Sequence, residues 1–202
     1  MLREDHLAGM STRDLLLVYG IRMFHKLGVN GTGVGQLLKA TKKSKSQFYH
    51  YFKDKDDFVC SILRLEMDIM IRMASRRSLD KVEDFGEWFQ PYVELGELPD
   101  QLGCPVGAIA SELSPSHPSI RREAAVQLAR WESHLATCLT GLGQNEGFIG
   151  GFDPQLMAQR LAGAIQGALL MGRTHQSLRY ILAVRQEYQE QLDRLRALQT
   201  AY

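Results

Sequence analysis

The sequence predicts an all-α protein of nine helices. Three observations support this. Apolar residues recur every three to four positions throughout, and no useful stretch alternates with a period of two. Breaks rich in Gly and Pro also cut the chain into helix-sized pieces. The 202 residues are 45% hydrophobic and 23% charged, the balance of an ordinary globular chain with enough length to bury a core.

The first helix runs from Ser11 or Thr12 to about Lys26, with Leu16, Tyr19, Met23 and Leu27 on one face, Phe24 beside it and Gly28 as terminator. Two short helices, Val34–Thr41 and Lys45–Tyr51, are joined by Lys42-Lys43-Ser44. A long helix follows from Lys55 to about Arg76, carrying Phe58, Ile62, Leu65, Ile69 and Met73, with Asp54, Asp56 and Asp57 suited to its positive N-terminus. Next come Asp80 to about Tyr92, a short helix from Cys104-Pro105 to Ser114-Pro115, and Pro118 to about Leu142. The Gly-rich stretch Gly141–Gly151 reads as a loop, and Pro154–Ser177 and Leu178–Leu198 complete the set.

Net charge is +1 overall, but residues 1–60 carry +4 and the remainder −3. Six lysines and a single acid lie between Val34 and Lys55, which suggests a polyanionic partner for that region. Three scattered cysteines (Cys60, Cys104, Cys138) and no secretory leader suggest a reduced, cytoplasmic protein without a disulfide framework or metal site. The most apolar charge-free run, Leu161 to Gly172, is 12 residues, too short for a bilayer span of about 20. No cofactor fingerprint is present, and none is expected to be needed.

Two short helices with a tight turn, packed on a preceding helix, form a helix-turn-helix. In Lys45-Ser-Gln-Phe-Tyr-His-Tyr-Phe52, Phe48 and Phe52 can face inward, leaving Lys45, Ser46, Gln47, Tyr49 and His50 for a DNA groove and its walls. Gln pairs bidentately with adenine, and Lys favours guanine or phosphate. Thr32, Lys42, Lys43, Lys55 and the Tyr49 hydroxyl suit phosphates, which set register without reading sequence. Taken alone, the lysine run also fits a solvated face.

Thr12 to Phe58, and above all Ser44-Lys-Ser-Gln-Phe-Tyr-His-Tyr-Phe-Lys-Asp-Lys55, resembles the N-terminal domain of TetR/AcrR-family regulators. Members carry a Ser-Lys-x-x-Leu-Tyr-x-(His/Tyr)-Phe-x-x-Lys string after a helix ending in Phe-x-x-x-Gly, here Phe24 to Gly28. The resemblance implies a TetR-like fold. A helix-turn-helix DNA-binding domain would occupy residues 1–54, and a helical ligand-binding and dimerisation domain residues 55–202. It implies a homodimeric repressor on a pseudopalindromic operator, released by a small-molecule or electrophile effector. Two departures stand out. Lys42-Lys43 replaces a frequent Gly-Val, putting a lysine at a position suited to positive φ, and Gly35 replaces a frequent Arg.

In the C-terminal half, Gly163, Gly167 and Ala168 allow close helix approach and are the candidate dimer contacts, with packing inside one subunit as the alternative. Phe85, Trp88, Phe89 and Tyr92 recur at helical spacing, as do Trp131, His134 and Cys138. Either set reads as plain core or as effector-pocket lining. The candidate effector residues are Trp88, Phe89, Tyr92, Cys104, Trp131, His134 and Gln166. Cys104 precedes a Pro suited to a first helical position, where unpaired amides would activate a thiol; the alternative is a small buried hydrophobe. A thiol enzyme using Cys104 with His134 or His175 lacks an oxyanion site and an orienting acid. A DNA organiser with no effector also remains open.

Overall fold

The computed structural model describes residues 9–97, 103–112, 117–148 and 151–199. Among them lie nine α-helices, one short 3₁₀ turn and no strand. The helices are α1 (Thr12–Leu27), α2 (Val34–Thr41), α3 (Lys45–Tyr51), α4 (Lys55–Ala74), α5 (Phe85–Glu97), α6 (Pro105–Glu112), α7 (Pro118–Glu146), α8 (Pro154–His175) and α9 (Arg179–Gln199). The sequence placed α2 and α3 at their observed bounds.

The chain divides into two packing units. One comprises residues 1–66 and 105–127, the other 67–104 and 128–202. The chain passes between them inside α4, at the Cys104–Pro105 peptide and inside α7. Packing thus groups the head with the start of α4, with α6 and with the start of α7, whereas the sequence suggested a division at residue 54.

In the first unit, Ser11 is the N-cap of α1, its hydroxyl accepting from the Asp14 amide. The buried face of α1 is Leu16, Leu17, Gly20 and Phe24. This corrects the expected stripe: Leu27 is exposed, and Tyr19 and Met23 are half-buried. The reason lies at Gly20, where any Cβ would fall 2.4 Å from the Phe58 ring. That missing side chain is a notch, and it turns α1 so that Phe58 packs in. Phe24, Phe48 and Phe52 surround Phe58, with ring centroids 5.9, 5.4 and 4.9 Å from it. Asp54 caps α4 by accepting from the Asp57 amide at 2.8 Å, and Asp57 accepts in return from the Lys53 amide.

In the second unit, Phe85, Trp88, Phe89 and Tyr92 of α5 are all fully buried. α5 includes Gly96, where Leu178 packs against the space a side chain would fill. A second correction concerns Gly141–Gly151. α7 runs through Gly141 and Gly143 to Glu146, and Phe152 fills the notch at Gly143, where a Cβ would lie 2.5 Å from its ring. The stop is Gly147, at φ 71°, beside which the Phe148 amide donates back to the Gly143 carbonyl. Asp153 then caps α8 through the Gln155 and Leu156 amides, with Pro154 at the first helical position.

Candidate functional site

α3 is built as a probe anchored from beneath. Ser44 caps it by accepting from the Gln47 amide, and the Gln47 side-chain oxygen accepts from the Ser44 amide at 2.9 Å. Phe48 and Phe52 are buried, while Lys45, Ser46, Gln47, Tyr49 and His50 are exposed, Tyr49 at 56%. One helix face therefore meets the aromatic core and the other meets solvent. The preceding turn carries Lys42, exposed, and Lys43, half-buried. Lys42 sits at φ 54°, ψ 34°, the left-handed conformation expected where other sequences use glycine. Its amide and that of Lys43 both donate to the Leu38 carbonyl, closing α2.

Three of the expected DNA contacts are modified by this geometry. Thr32 is 2% exposed, and its hydroxyl donates to the Gly28 carbonyl at 2.8 Å. It shapes the α1–α2 turn and has no access to a phosphate. The half-buried Lys55 donates to the Val29 carbonyl at 2.6 Å, so part of its donor capacity is committed within the protein. Gln47 has one end of its amide engaged by the Ser44 cap. Bidentate pairing with adenine requires that this contact open.

Sequence reasoning missed Glu112, at the end of α6. Its carboxylate accepts from the Val29 amide at 2.6 Å and the Asn30 amide at 3.2 Å. Asp56 reads in the sequence only as an acid at the N-terminus of α4; it also accepts from the Ser119 hydroxyl at 2.8 Å and lies 3.0 Å from the His117 ring. A partner more than 60 residues away leaves no local pattern to read.

The candidate effector residues all belong to the second unit, and the aromatic ones among them are in contact. Tyr92 stacks against Trp88, Phe89 and Trp131, with centroids 6.2, 5.4 and 5.9 Å apart. The Trp131 indole N–H donates to the Tyr92 hydroxyl at 3.2 Å. Burial pushes the phenol pKa up, and the thiols of Cys138 and Cys104 are near enough to push the same way. His134 lies 3.9 Å from the Cys138 sulfur, and burial holds its imidazole below the usual value, hence neutral near pH 7. Burial also raises the Cys138 thiol, opposed by the Trp88 indole N–H. That N–H otherwise has no hydrogen-bond partner, and neither does the buried Gln166 side-chain nitrogen. Cys104 is buried immediately before α6.

On α8, Gly163 and Gly167 are exposed, with open space where their side chains would be. Leu156, Leu170 and Met171 are exposed at 41%, 64% and 41%. Leu156, Gly163, Gly167 and Leu170 follow seven-, four- and three-residue steps, so they form one stripe. Ala168 is instead buried inside the subunit at 7% exposure, which corrects its expected place in the dimer contact.

Residues 82–187 match the family described as transcriptional regulator LmrA/YxaF-like, C-terminal domain, of the TetR class. The chain belongs to the TetR family of transcriptional regulators. This match covers the half of the chain that the Ser44–Lys55 string does not, so two separate stretches indicate one family. The chain is 27% identical to the HTH-type transcriptional repressor DhaR of Mycobacterium sp. (strain GP1), over 81% of this chain and 83% of that one. Solved structures share the fold. Regulatory protein TetR from Rhodobacter sphaeroides has a TM-score of 0.77 at 19% identity, covering 88% of this chain and 96% of that one. The reduced form of E. coli NemR has a TM-score of 0.75 at 20% identity, covering 87% and 94%. The family consists of regulators and not enzymes. Among the described residues, no helix is long and apolar enough to cross a membrane.

Proposed function

We propose that this TetR-family chain is a homodimeric repressor whose α3 enters the major groove of a pseudopalindromic operator, and which a small-molecule or electrophile effector releases. The observation that carries the reading is α3 itself. Lys45, Ser46, Gln47, Tyr49 and His50 face solvent while Phe48 and Phe52 hold the helix to the core, with Lys42 and Lys43 flanking. Cations on the rim supply the sequence-independent phosphate attraction, and Ser46 and Gln47 are placed to meet base edges. The stripe Leu156-Gly163-Gly167-Leu170 is the dimer contact. A second copy would cover its apolar side chains, and the glycines let backbones approach closely. Two heads are needed because half-sites lie about 34 Å apart, one helical turn of DNA.

For the effector, the support is the cluster of Trp88, Phe89, Tyr92 and Trp131, with His134 and Cys138 on the same helix as Trp131. Cys104 and Cys138 are the thiols an electrophile would modify. An effector acts only through its different affinity for the DNA-bound and free states.

Selection from random duplexes tests the DNA reading. The expected product is an inverted repeat, bound with an affinity that falls steeply as salt rises. Recovery of no repeat, with salt-insensitive binding, overturns it. Treatment with N-ethylmaleimide, followed by mass mapping and operator titration, tests the electrophile arm. Full modification of Cys104 and Cys138 without loss of operator affinity removes that arm.

A further inference from the structure

Arg13 lies in the first turn of α1, and its guanidinium stands 5.9 Å from the centroid of the Phe52 ring. Phe52 is the C-cap of α3 and is 1% exposed, packed on Phe48 and Phe58 at ring distances of 5.3 and 4.9 Å. Arg13 itself is exposed. The aromatic cluster that holds α3 to the core therefore also holds a cation at the C-terminal end of α3, within the range of a cation–π contact. Among the described residues no ion pair involves Arg13. The neighbouring carboxylate, Asp14, accepts from the Ser11 hydroxyl at 2.7 Å.

A cation–π contact draws on the charge of an arginine and on none of its five N–H donors. Those donors are left for an acceptor with two oxygens side by side, and a DNA phosphate matches that geometry. The placement also suits a duplex. α3 has seven residues and is about 10 Å long. Lys42, Lys43 and Lys45 stand at its N-terminal end, and Arg13 and the exposed Lys53 at its C-terminal end. A major groove is about 12 Å wide. Cations at both ends of a probe of that length reach both phosphate walls, whereas cations at one end reach one.

We propose that Arg13 is a DNA phosphate contact, held against Phe52 so that α3 is clamped to the duplex backbone from its C-terminal end as well as its N-terminal end. The inference rests on the DNA-binding reading above and adds to it a residue of α1, outside the α2–α3 pair. As a backbone contact, Arg13 strengthens the grip of α3 and carries no base preference.

The test compares full-length wild type, Arg13→Met and Arg13→Lys. Methionine keeps an apolar stem over Phe52 and removes the charge, and lysine restores the charge. Each protein is titrated by fluorescence anisotropy at several salt concentrations. The probes are a duplex recovered from random-sequence selection and a scrambled duplex of equal length. Arg13→Met should lower the slope of log affinity against log salt by about 0.9, one phosphate contact, which weakens both complexes about eightfold at about 0.1 M salt. Arg13→Lys should recover the slope. A scan of single methylphosphonate substitutions along the recovered duplex then locates the contact. At one phosphate of each half-site, the substitution should cost wild type several-fold in affinity and cost Arg13→Met nothing further.

An unchanged slope in Arg13→Met overturns the proposal. So does a lowered slope that lysine fails to restore, since that is what a purely structural role would give. Identical methylphosphonate profiles for wild type and Arg13→Met overturn it as well. If Arg13→Met fails to fold, Arg13→Gln takes its place with the same outcomes. Wild type showing no salt-sensitive binding to any duplex would defeat the DNA reading itself, a result separable from all of these.

Discussion

The Trp131 indole N–H donates to the Tyr92 hydroxyl at 3.2 Å, joining α7 to α5 between two side chains that are 1% and 0% exposed. Tyr92→Phe keeps the ring packing but leaves the Trp131 donor buried with no acceptor. Stability should fall by about 1–3 kcal/mol. Urea unfolding followed by tryptophan fluorescence would show this. An unchanged midpoint would mean that the bond contributes nothing net.

Two helical glycines should respond with opposite sign. Gly35 in α2 has open space around its Cβ position, so Gly35→Ala should stabilise by about 0.5–1 kcal/mol through lower unfolded-chain entropy and better helix propensity. Gly143 in α7 lies under the Phe152 ring, so Gly143→Ala should destabilise by about 1–3 kcal/mol despite the same propensity gain. Thermal unfolding of both variants decides the matter, and shifts in the same direction would refute the packing account of Gly143.

Lys42→Gly separates folding from binding. Glycine adopts the φ 54° backbone without the penalty on a side chain, so stability should rise by about 1 kcal/mol. Loss of the cation should weaken binding to all duplexes alike and lower the slope of log affinity against log salt by about 1. Fluorescence anisotropy at several salt concentrations measures the slope. A slope identical to wild type would place Lys42 away from the phosphates.

Acid should destabilise the second unit through His134. Burial lowers its folded-state pKa below the ordinary 6.5, so the unfolded chain takes up the proton first. The stability held above pH 6.5 is lost as pH falls toward the folded value. Between pH 7.5 and 5, wild type should lose more stability than His134→Gln, as read from urea midpoints across that range. Parallel losses would show that His134 is not linked to folding.

Periodicity and capping chemistry made the helices legible because both act within a few residues. Ser44 and Gln47, which cap each other, are three positions apart, and so are Asp54 and the Asp57 amide it caps, so these caps are written in the local string. The exposed face of α3 followed in the same way, since Phe48 and Phe52 fall on one side of a 3.6-residue turn. Glycine misled where its role was to receive a distant ring. Gly143 reads as part of a loop and Gly20 is not singled out by the sequence, but each is a notch for an aromatic side chain.

The sequence by itself determined an all-α chain, its helix bounds at α2 and α3 and a lysine-flanked probe, because these depend on backbone preferences and on charge close along the chain; the left-handed position of Lys42 followed from the family resemblance. Only the tertiary structure decided that Thr32 is buried, that Ala168 faces inward, that Trp131 pairs with Tyr92 and that Glu112 holds the Val29 turn. The last two outcomes depend on which surfaces meet across 39 to 83 residues of chain, and so on packing geometry that no local period encodes.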